Sequence, residues 1–220
     1  MARRESLWVI SDLAYADLMH NGEPAPSIFQ VEGARDVAVE FFTVSKSYSM
    51  PGWRVGFCVG NRPLVGALTN IKGYLDYGSF APVQLAAATA LTSCDGDVAE
   101  NRAVYKHRSK LLCTELEAVG WSVPQPVASM FVWAPLPPQA AGPGSVKFAS
   151  ELLERARVAV SPGVGFGPGG EGYVRFALVE NDDRTRRACA AIGEFLARTA
   201  SVPAPPAALP PHVDKAAGLK

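Results

Sequence analysis

A single lysine stands where a buried strand should end. In FFTVSKSYSMPGWRVGF, residues 41–57, the strand-like run Phe41–Val44 stops at Ser45, Lys46 and Ser47. Arg54 follows eight residues after the lysine, set in the turn-like Pro51-Gly52-Trp53, and a second apolar run, Val55–Val59, comes next. Most strand-end lysines simply reach solvent. A lysine held in a desolvated pocket is different, because its amine becomes a usable nucleophile that can form a Schiff base with a carbonyl. The neighbours favour the second reading. Thr43 and Ser45 offer hydroxyl donors and Arg54 a planar fork of donors, a set that could bind a phosphate group beside the amine.

Two more residues could join that chemistry. In VISDLAYADL a strand ends in Ser11-Asp12, with Tyr15 three residues on. Aspartate is common in strand-end turns. A carboxylate at the C-terminal end of a parallel strand also lies where open α/β sheets bind ligands. There it could hold a proton on a ring nitrogen, while a nearby phenol donates to a ring oxygen. In GYVRFALVEN, Arg175 sits inside an apolar strand, a place that a snorkelling edge residue also takes.

The elements that must position these residues alternate in the first half. Leu7–Ile10, Val39–Val44 and Val55–Val59 read as strands of continuous apolar character. Arg62–Leu75, Pro82–Ser93 and Asp97–Val119 read as helices, the last carrying a stripe of Val104, Leu111, Leu112, Leu116 and Val119 and ending at Gly120. A domain change is expected near residue 120, giving units of residues 1–120 and 121–200. The second half reads as a strand at Met130–Ala134 and an exposed loop at Pro135–Gly144. A helix opened by Ser145 follows, with Ala149, Leu152, Leu153 and Ala156 on its apolar face. Strands at Val158–Val160 and Tyr173–Leu178 come next, then a last helix facing inward with Ala188, Ile192, Phe195 and Leu196. Residues 201–220, rich in Pro and Ala, are expected to be disordered.

Composition bounds the function. The 220 residues are 48% hydrophobic and 19% charged, enough for a sizeable core. Lys+Arg and Asp+Glu balance at 21 each, so no basic excess points to nucleic acid or an anionic membrane surface. The longest apolar runs are too short to span a bilayer, and the chain reads as soluble and cytoplasmic. Four scattered cysteines and three scattered histidines show no metal-ligand or redox spacing, so no metal is expected. Gly165-Phe166-Gly167-Pro168-Gly169-Gly170 matches a dinucleotide fingerprint literally but leads into a strand and contains proline, against such a site.

Taken together, Asp12 with Tyr15, the apolar strand ending in Ser45-Lys46, and Gly52-Trp53-Arg54-Val55-Gly56 resemble the class I/II, fold-type I aminotransferases that use pyridoxal 5′-phosphate. DLAYADLMHNGEPAPSIFQVEGARDVAVEFFTVSKSYSMPGWRVGF, followed by YLDYGSFAPVQLAAATAL, is most similar to the bacterial alanine (glutamate–pyruvate) aminotransferases, and the resemblance runs from residue 7 to about residue 199. It implies an α/β fold: the C-terminal part of the family's large domain, with a mixed, mostly parallel sheet, plus a small α+β C-terminal domain. It implies that Lys46 forms the aldimine with the cofactor and then moves the substrate proton. Asp12 would pair with the pyridine nitrogen, Tyr15 would bond the phenolic oxygen, and Ser45 and Arg54 would hold the phosphate. Thr43 stands where many relatives have serine, with the hydroxyl kept. Arg175 would grip the substrate α-carboxylate, and SPGVGFGPGGEGYVR fits the family's P-G-x-x-F-G pattern. The partners implied are a small amino acid and a 2-oxo acid, alanine or glutamate with pyruvate or 2-oxoglutarate, and the complete protein would be a homodimer.

Family members are longer than this chain and carry an N-terminal half that is not found in it. That half supplies a phosphate-binding helix N-terminus, a ring-stacking aromatic and further sheet strands. The expectation is therefore of an open edge at strand Leu7–Ile10, of helices with bare apolar faces, and of no transamination by these residues alone. The alternative reading is a catalytically inactive remnant of the same fold, non-enzymatic or only weakly cofactor-binding.

Overall fold

The computed structural model describes residues 1–200, so the Pro/Ala-rich tail lies outside the described residues. Three strands form the first sheet in the order β1-β2-β3: β1 (Val9–Asp12), β2 (Ala38–Thr43) and β3 (Gly56–Gly60). β1 runs parallel to β2, with Ser11 opposite Glu40 and Asp12 opposite Phe41; β3 is antiparallel to β2. The parallel pair brings two C-terminal strand ends to one edge, so Asp12 and the chain leaving Thr43 emerge together. Ala38, Val39 and Glu40 of β2 are buried, as a central strand demands. Trp8, just before β1, and Ile10 within it remain 58% and 72% exposed.

After β2 the chain turns through α1 (Val44–Ser47), which carries Lys46. Thr43 caps this short helix by accepting from the Ser45 amide at 3.1 Å, so Val44 belongs to the turn and not to the strand. A tight turn at Pro51–Trp53 follows, and Arg54 takes a left-handed conformation with φ 55°. That reversal delays β3 by one residue, to Gly56. A Cβ on Gly56 would sit 2.8 Å from the Phe42 carbonyl, so only glycine fits against the ladder there.

Helices α2 (Arg62–Leu75), α3 (Ala81–Ser93) and α4 (Asp95–Ala118) follow. Asn61 starts α2 by accepting from the Leu64 amide at 3.1 Å. No residue of α2 is fully buried, and Ile71, Tyr74, Leu75, Tyr77, Phe80 and Leu85 form bare apolar surface along α2, α3 and their connection. α4 is different along its length. Its first half touches the lysine turn, and its second half enters another core through Leu112, Cys113 and Leu116. Val104, placed on its apolar stripe by the sequence, is exposed.

That core packs around a second sheet, all antiparallel in the order β4-β6-β5: β4 (Phe131–Pro135), β5 (Ser161–Pro162) and β6 (Tyr173–Ala177). Helices α5 (Ser145–Ala156) and α6 (Asp182–Ala200) cover it. Trp121 is the keystone: its ring meets Phe148 and Phe176 edge-on, each at 5.5 Å, and its Nε1 donates to the Pro135 carbonyl at 2.8 Å. Three expectations need correction. The strand read at Val158–Val160 forms at Ser161–Pro162, because those residues reach the register opposite Arg175 and Val174; Val158 and Val160 pack on the core from the approach. On α5 the buried stripe runs through Ser145, Phe148, Ala149, Leu152 and Ala156, leaving Leu153 on the open side. Within the loop at residues 135–144, Leu136, Pro137 and Ala140 are buried, so it is not simply exposed.

Candidate active site

Lys46 occupies the third position of α1, half-buried, where the sheet's parallel strand ends converge. Its Nζ lies 5.9 Å from the centroid of the Tyr15 ring. Tyr15 in turn meets Phe131 of β4 edge-on at 5.9 Å. The Arg175 guanidinium of β6 stacks between Phe131, 4.0 Å away, and Phe166, 4.3 Å away. A file of Lys46, Tyr15, Phe131 and Arg175 therefore links the two sheets, with an amine at one end and a guanidinium at the other. Neither charged group has an ion-pair partner among the described residues. Stacking between two rings holds the guanidinium plane while leaving its N–H edges open to a carboxylate.

The hydroxyls assemble as well. Thr43 Oγ1 donates to the Val55 carbonyl at 2.7 Å and lies 2.8 Å from Ser45 Oγ. Arg54, exposed beside Val55, donates from Nη1 to the Pro51 carbonyl at 2.8 Å and so closes its own turn. Asp12 accepts from the Ala14 amide at 3.0 Å, which folds the chain back towards Tyr15. The structure thus joins Thr43 with Ser45, and Lys46 with Tyr15 and Arg175. Asp12 and Arg54 stand at the edges of the same strand ends, without direct contact to the others.

Sequence reasoning missed the residues that hold the lysine turn. The hydroxyl of Ser47, the buried last residue of α1, donates to Asp17 Oδ2 at 2.6 Å. Asn101 of α4 donates from Nδ2 to the carbonyls of Lys46 and Ser47, at 2.9 and 3.1 Å. A four-residue helix cannot satisfy its own last carbonyls, and Asn101 does so from outside. Asp17, two residues after Tyr15, was visible as a second acid in the same segment; Asn101, 55 residues from Lys46, had no local signal. A hollow of about 590 Å³ lies elsewhere, among Phe41, Phe42, Phe57, Leu68 and Tyr77, and none of the residues with candidate chemistry lines it. Among the described residues no group of His, Cys, Asp and Glu gathers as a metal ion would require.

The donor set fits a phosphorylated aldehyde bearing a basic ring nitrogen: an unpaired amine for the aldehyde, hydroxyls and a guanidinium for the phosphate, and a strand-end carboxylate for the nitrogen. Residues 1–192 match the model of the family described as aminotransferase class I and II. The chain belongs to that family, whose members are pyridoxal-phosphate-dependent enzymes. It is 52% identical over 207 residues to the glutamate-pyruvate aminotransferase AlaC of Escherichia coli (strain K12), covering 93% of this chain and 50% of that protein. It is 41% identical over 187 residues to the LL-diaminopimelate aminotransferase of Gloeobacter violaceus, covering 85% of this chain and 47% of the other. Among solved structures, BacF from Bacillus subtilis superposes with a TM-score of 0.84 at 29% identity, covering 89% of this chain and 52% of BacF. A probable N-succinyldiaminopimelate aminotransferase from Thermus thermophilus gives 0.81 at 36% identity, over 88% and 51% of the two chains. The chain spans about half the length of the curated relatives it matches.

Proposed function

We propose that this chain carries the lysine-bearing half of an aminotransferase that moves an amino group between an amino acid and a 2-oxo acid. Alanine and glutamate, with pyruvate and 2-oxoglutarate, are the first pair, since the 52% identity to a glutamate-pyruvate enzyme exceeds the 41% to the diaminopimelate enzyme. One observation supports the reading above the others: the amine of Lys46, on the helical turn after the first sheet, and the guanidinium of Arg175, in the second sheet, are linked through Tyr15 and Phe131.

Pyridoxal phosphate, when bound, supplies an electron sink for the charge that develops at the substrate α-carbon. The chain's residues do the rest. Ser45 and Arg54 would hold the phosphate through hydroxyl and guanidinium donors, beside Thr43, whose own proton goes to the Val55 carbonyl. Asp12 would keep a proton on the ring nitrogen, and Tyr15 would donate its phenol to the ring oxygen. Lys46 would hold the cofactor's aldehyde carbon and would serve as the base that takes and returns the α-proton. Arg175 grips the α-carboxylate in a two-pronged contact, its plane held by Phe131 and Phe166. The same reading divides the chain near residue 120 into a partial cofactor-binding unit and a small C-terminal unit. It places the complete protein in the cytoplasm as a homodimer, with the bare residues Tyr77 and Phe80 turned to other protein.

The test is chemical. Loading the 220-residue chain with pyridoxal phosphate and reducing it with borohydride should leave the pyridoxyl mass on the Lys46 peptide. A label on Lys72, Lys106 or Lys110 instead would remove Lys46 from the site.

A further inference from the structure

Gly163 and Gly170 face each other backbone to backbone, and a Cβ on either would collide with the other's carbonyl oxygen. They form the neck of a loop, residues 164–169, that carries Phe166. Inside the loop the Gly167 amide donates to the Val164 carbonyl at 3.0 Å, and the Gly170 amide to the Gly167 carbonyl at 2.9 Å. The Phe166 ring covers the Arg175 guanidinium from 4.3 Å and meets Trp133 edge-on at 5.6 Å.

The neck is held from outside. Ser145, the first residue of α5 and wholly buried, touches both of its arms. Its hydroxyl accepts from the Val164 amide at 3.4 Å on one arm and donates to Glu171 Oε2 at 3.0 Å on the other. Glu171 Oε1 in turn accepts from the Ser145 amide at 2.6 Å and the Gly172 amide at 2.9 Å. α5 is a firm base for this, because Phe148 and Leu152 seat it in the second core. The other ring on Arg175 is fixed by different means: Phe131 lies in β4, paired along its length with β6. One ring of the sandwich is thus set by the sheet and the other by this loop.

We propose that Ser145 and Glu171 act as positioning residues that clamp the neck, keep Phe166 on Arg175, and so set the guanidinium plane for a carboxylate. The inference rests on the reading of Arg175 as the carboxylate site. A planar fork of donors grips two oxygens at once only when its plane is fixed. The loop holds Gly165, Gly167 and Gly169, residues that permit many backbone conformations. Its own two turns leave it free to swing as a unit about the neck, and the clamp removes that freedom.

The clamp can be read without turnover. Two stable secondary amines serve as probes, made by reducing mixtures of pyridoxal phosphate with L-alanine or with ethylamine, which is alanine without its carboxylate. The ratio of their affinities for the full chain, measured by calorimetric titration, isolates the carboxylate contact. It should favour the alanine conjugate roughly tenfold or more, as hydrogen bonds to a charged group do. In Phe166→Leu, Ser145→Ala and Glu171→Ala the preference should fall to within about threefold. Glu171→Gln keeps an acceptor for the Ser145 amide and should restore most of it. In a chain already carrying Phe166→Leu, adding Glu171→Ala should change the preference less than about twofold, because the clamp acts through that ring. The Arg175 Nε–Hε resonance, identified by its loss in Arg175→Met, is a second readout. Ring currents of Phe131 and Phe166 shift it upfield, and Phe166→Leu and Glu171→Ala should both move it back. Backbone amide spectra identify any variant that has unfolded, and Glu171→Gln then decides. Folded clamp variants that leave preference and resonance unchanged, or a full further loss in the Phe166→Leu chain, would overturn the clamp while leaving the site reading in place. A preference that survives Arg175→Met, or none in the unsubstituted chain, would overturn the site reading and the clamp with it.

Discussion

Glu40 is 1% exposed in the middle of β2, a carboxylate inside the sheet that delivers Lys46. It is satisfied by three donors: the Ile28 amide at 2.6 Å, the Ser27 hydroxyl at 2.8 Å and the Ser11 hydroxyl at 3.3 Å. Through them it ties β1, and the segment at residues 27–30, to the strand before the lysine turn. Glu40→Leu removes the acceptor of all three hydrogen bonds at once. The Ile28 N–H cannot rotate to another partner, and leaving it unmet costs about 1–3 kcal/mol. The two hydroxyls can re-aim, so each loses on the order of 0.5–1 kcal/mol. Relief of the buried charge offsets part of this, and the net loss is about 2–3 kcal/mol. Glu40→Gln keeps a carbonyl for Ile28 and loses chiefly the charge assistance, about 1 kcal/mol. Urea unfolding followed by tryptophan fluorescence reads the difference. With a slope of about 2 kcal/mol/M, the midpoint should fall by roughly 1–1.5 M for Leu and about 0.5 M for Gln, at unchanged slope. A leucine variant no less stable than the glutamine variant would refute the claim that Glu40 is held by its donors.

Three further outcomes are expected. Amide donors from Gly172 and Ser145 hold the exposed Glu171 carboxyl below its ordinary value, so its contribution is present above the usual glutamate range and is lost as pH falls through the lowered value; the difference in thermal midpoint between the chain and Glu171→Gln should be largest near neutrality and vanish in acid, and a difference independent of pH would count against the assignment. Burial, with smaller effects of Glu115 and Cys113, pushes the Cys189 thiol up to about 12, so iodoacetamide at about pH 8 should label Cys58 and Cys94 first and reach Cys189 only on unfolding, as peptide mapping can check. In an active enzyme containing this chain, Asp12→Asn should lower kcat more than Tyr15→Phe, because in the proposed roles the carboxylate would hold the proton on which the electron sink depends while the phenol would give one hydrogen bond; equal losses would contradict the roles proposed.

Much was legible because it is local. The hydroxyls around Lys46, the turn at Pro51-Gly52-Trp53 and the strand-end Asp12 are set by residues a few positions apart, and β1, β2, β3 and the helices after them form within a residue or two of where apolar runs and caps place them. The family was legible for the same reason, since its motifs are short and ordered. What the sequence could not show depends on residues meeting across long separations. Asn101 reaches Lys46 over 55 positions, and Arg108 reaches Leu178 over 70. Phe131 and Phe166 read as ordinary core and loop aromatics until the pairing of β4 with β6 sets Phe131 against the Arg175 guanidinium. The short strand at Ser161–Pro162 shows the same limit, because apolar character favoured Val158–Val160 and only the register against β6 chose the residues that pair. Composition and periodicity fix which face of an element is apolar. They carry no information on which distant backbone carbonyl a side chain will find, and that was decided by how α4 packs against α1 and α6.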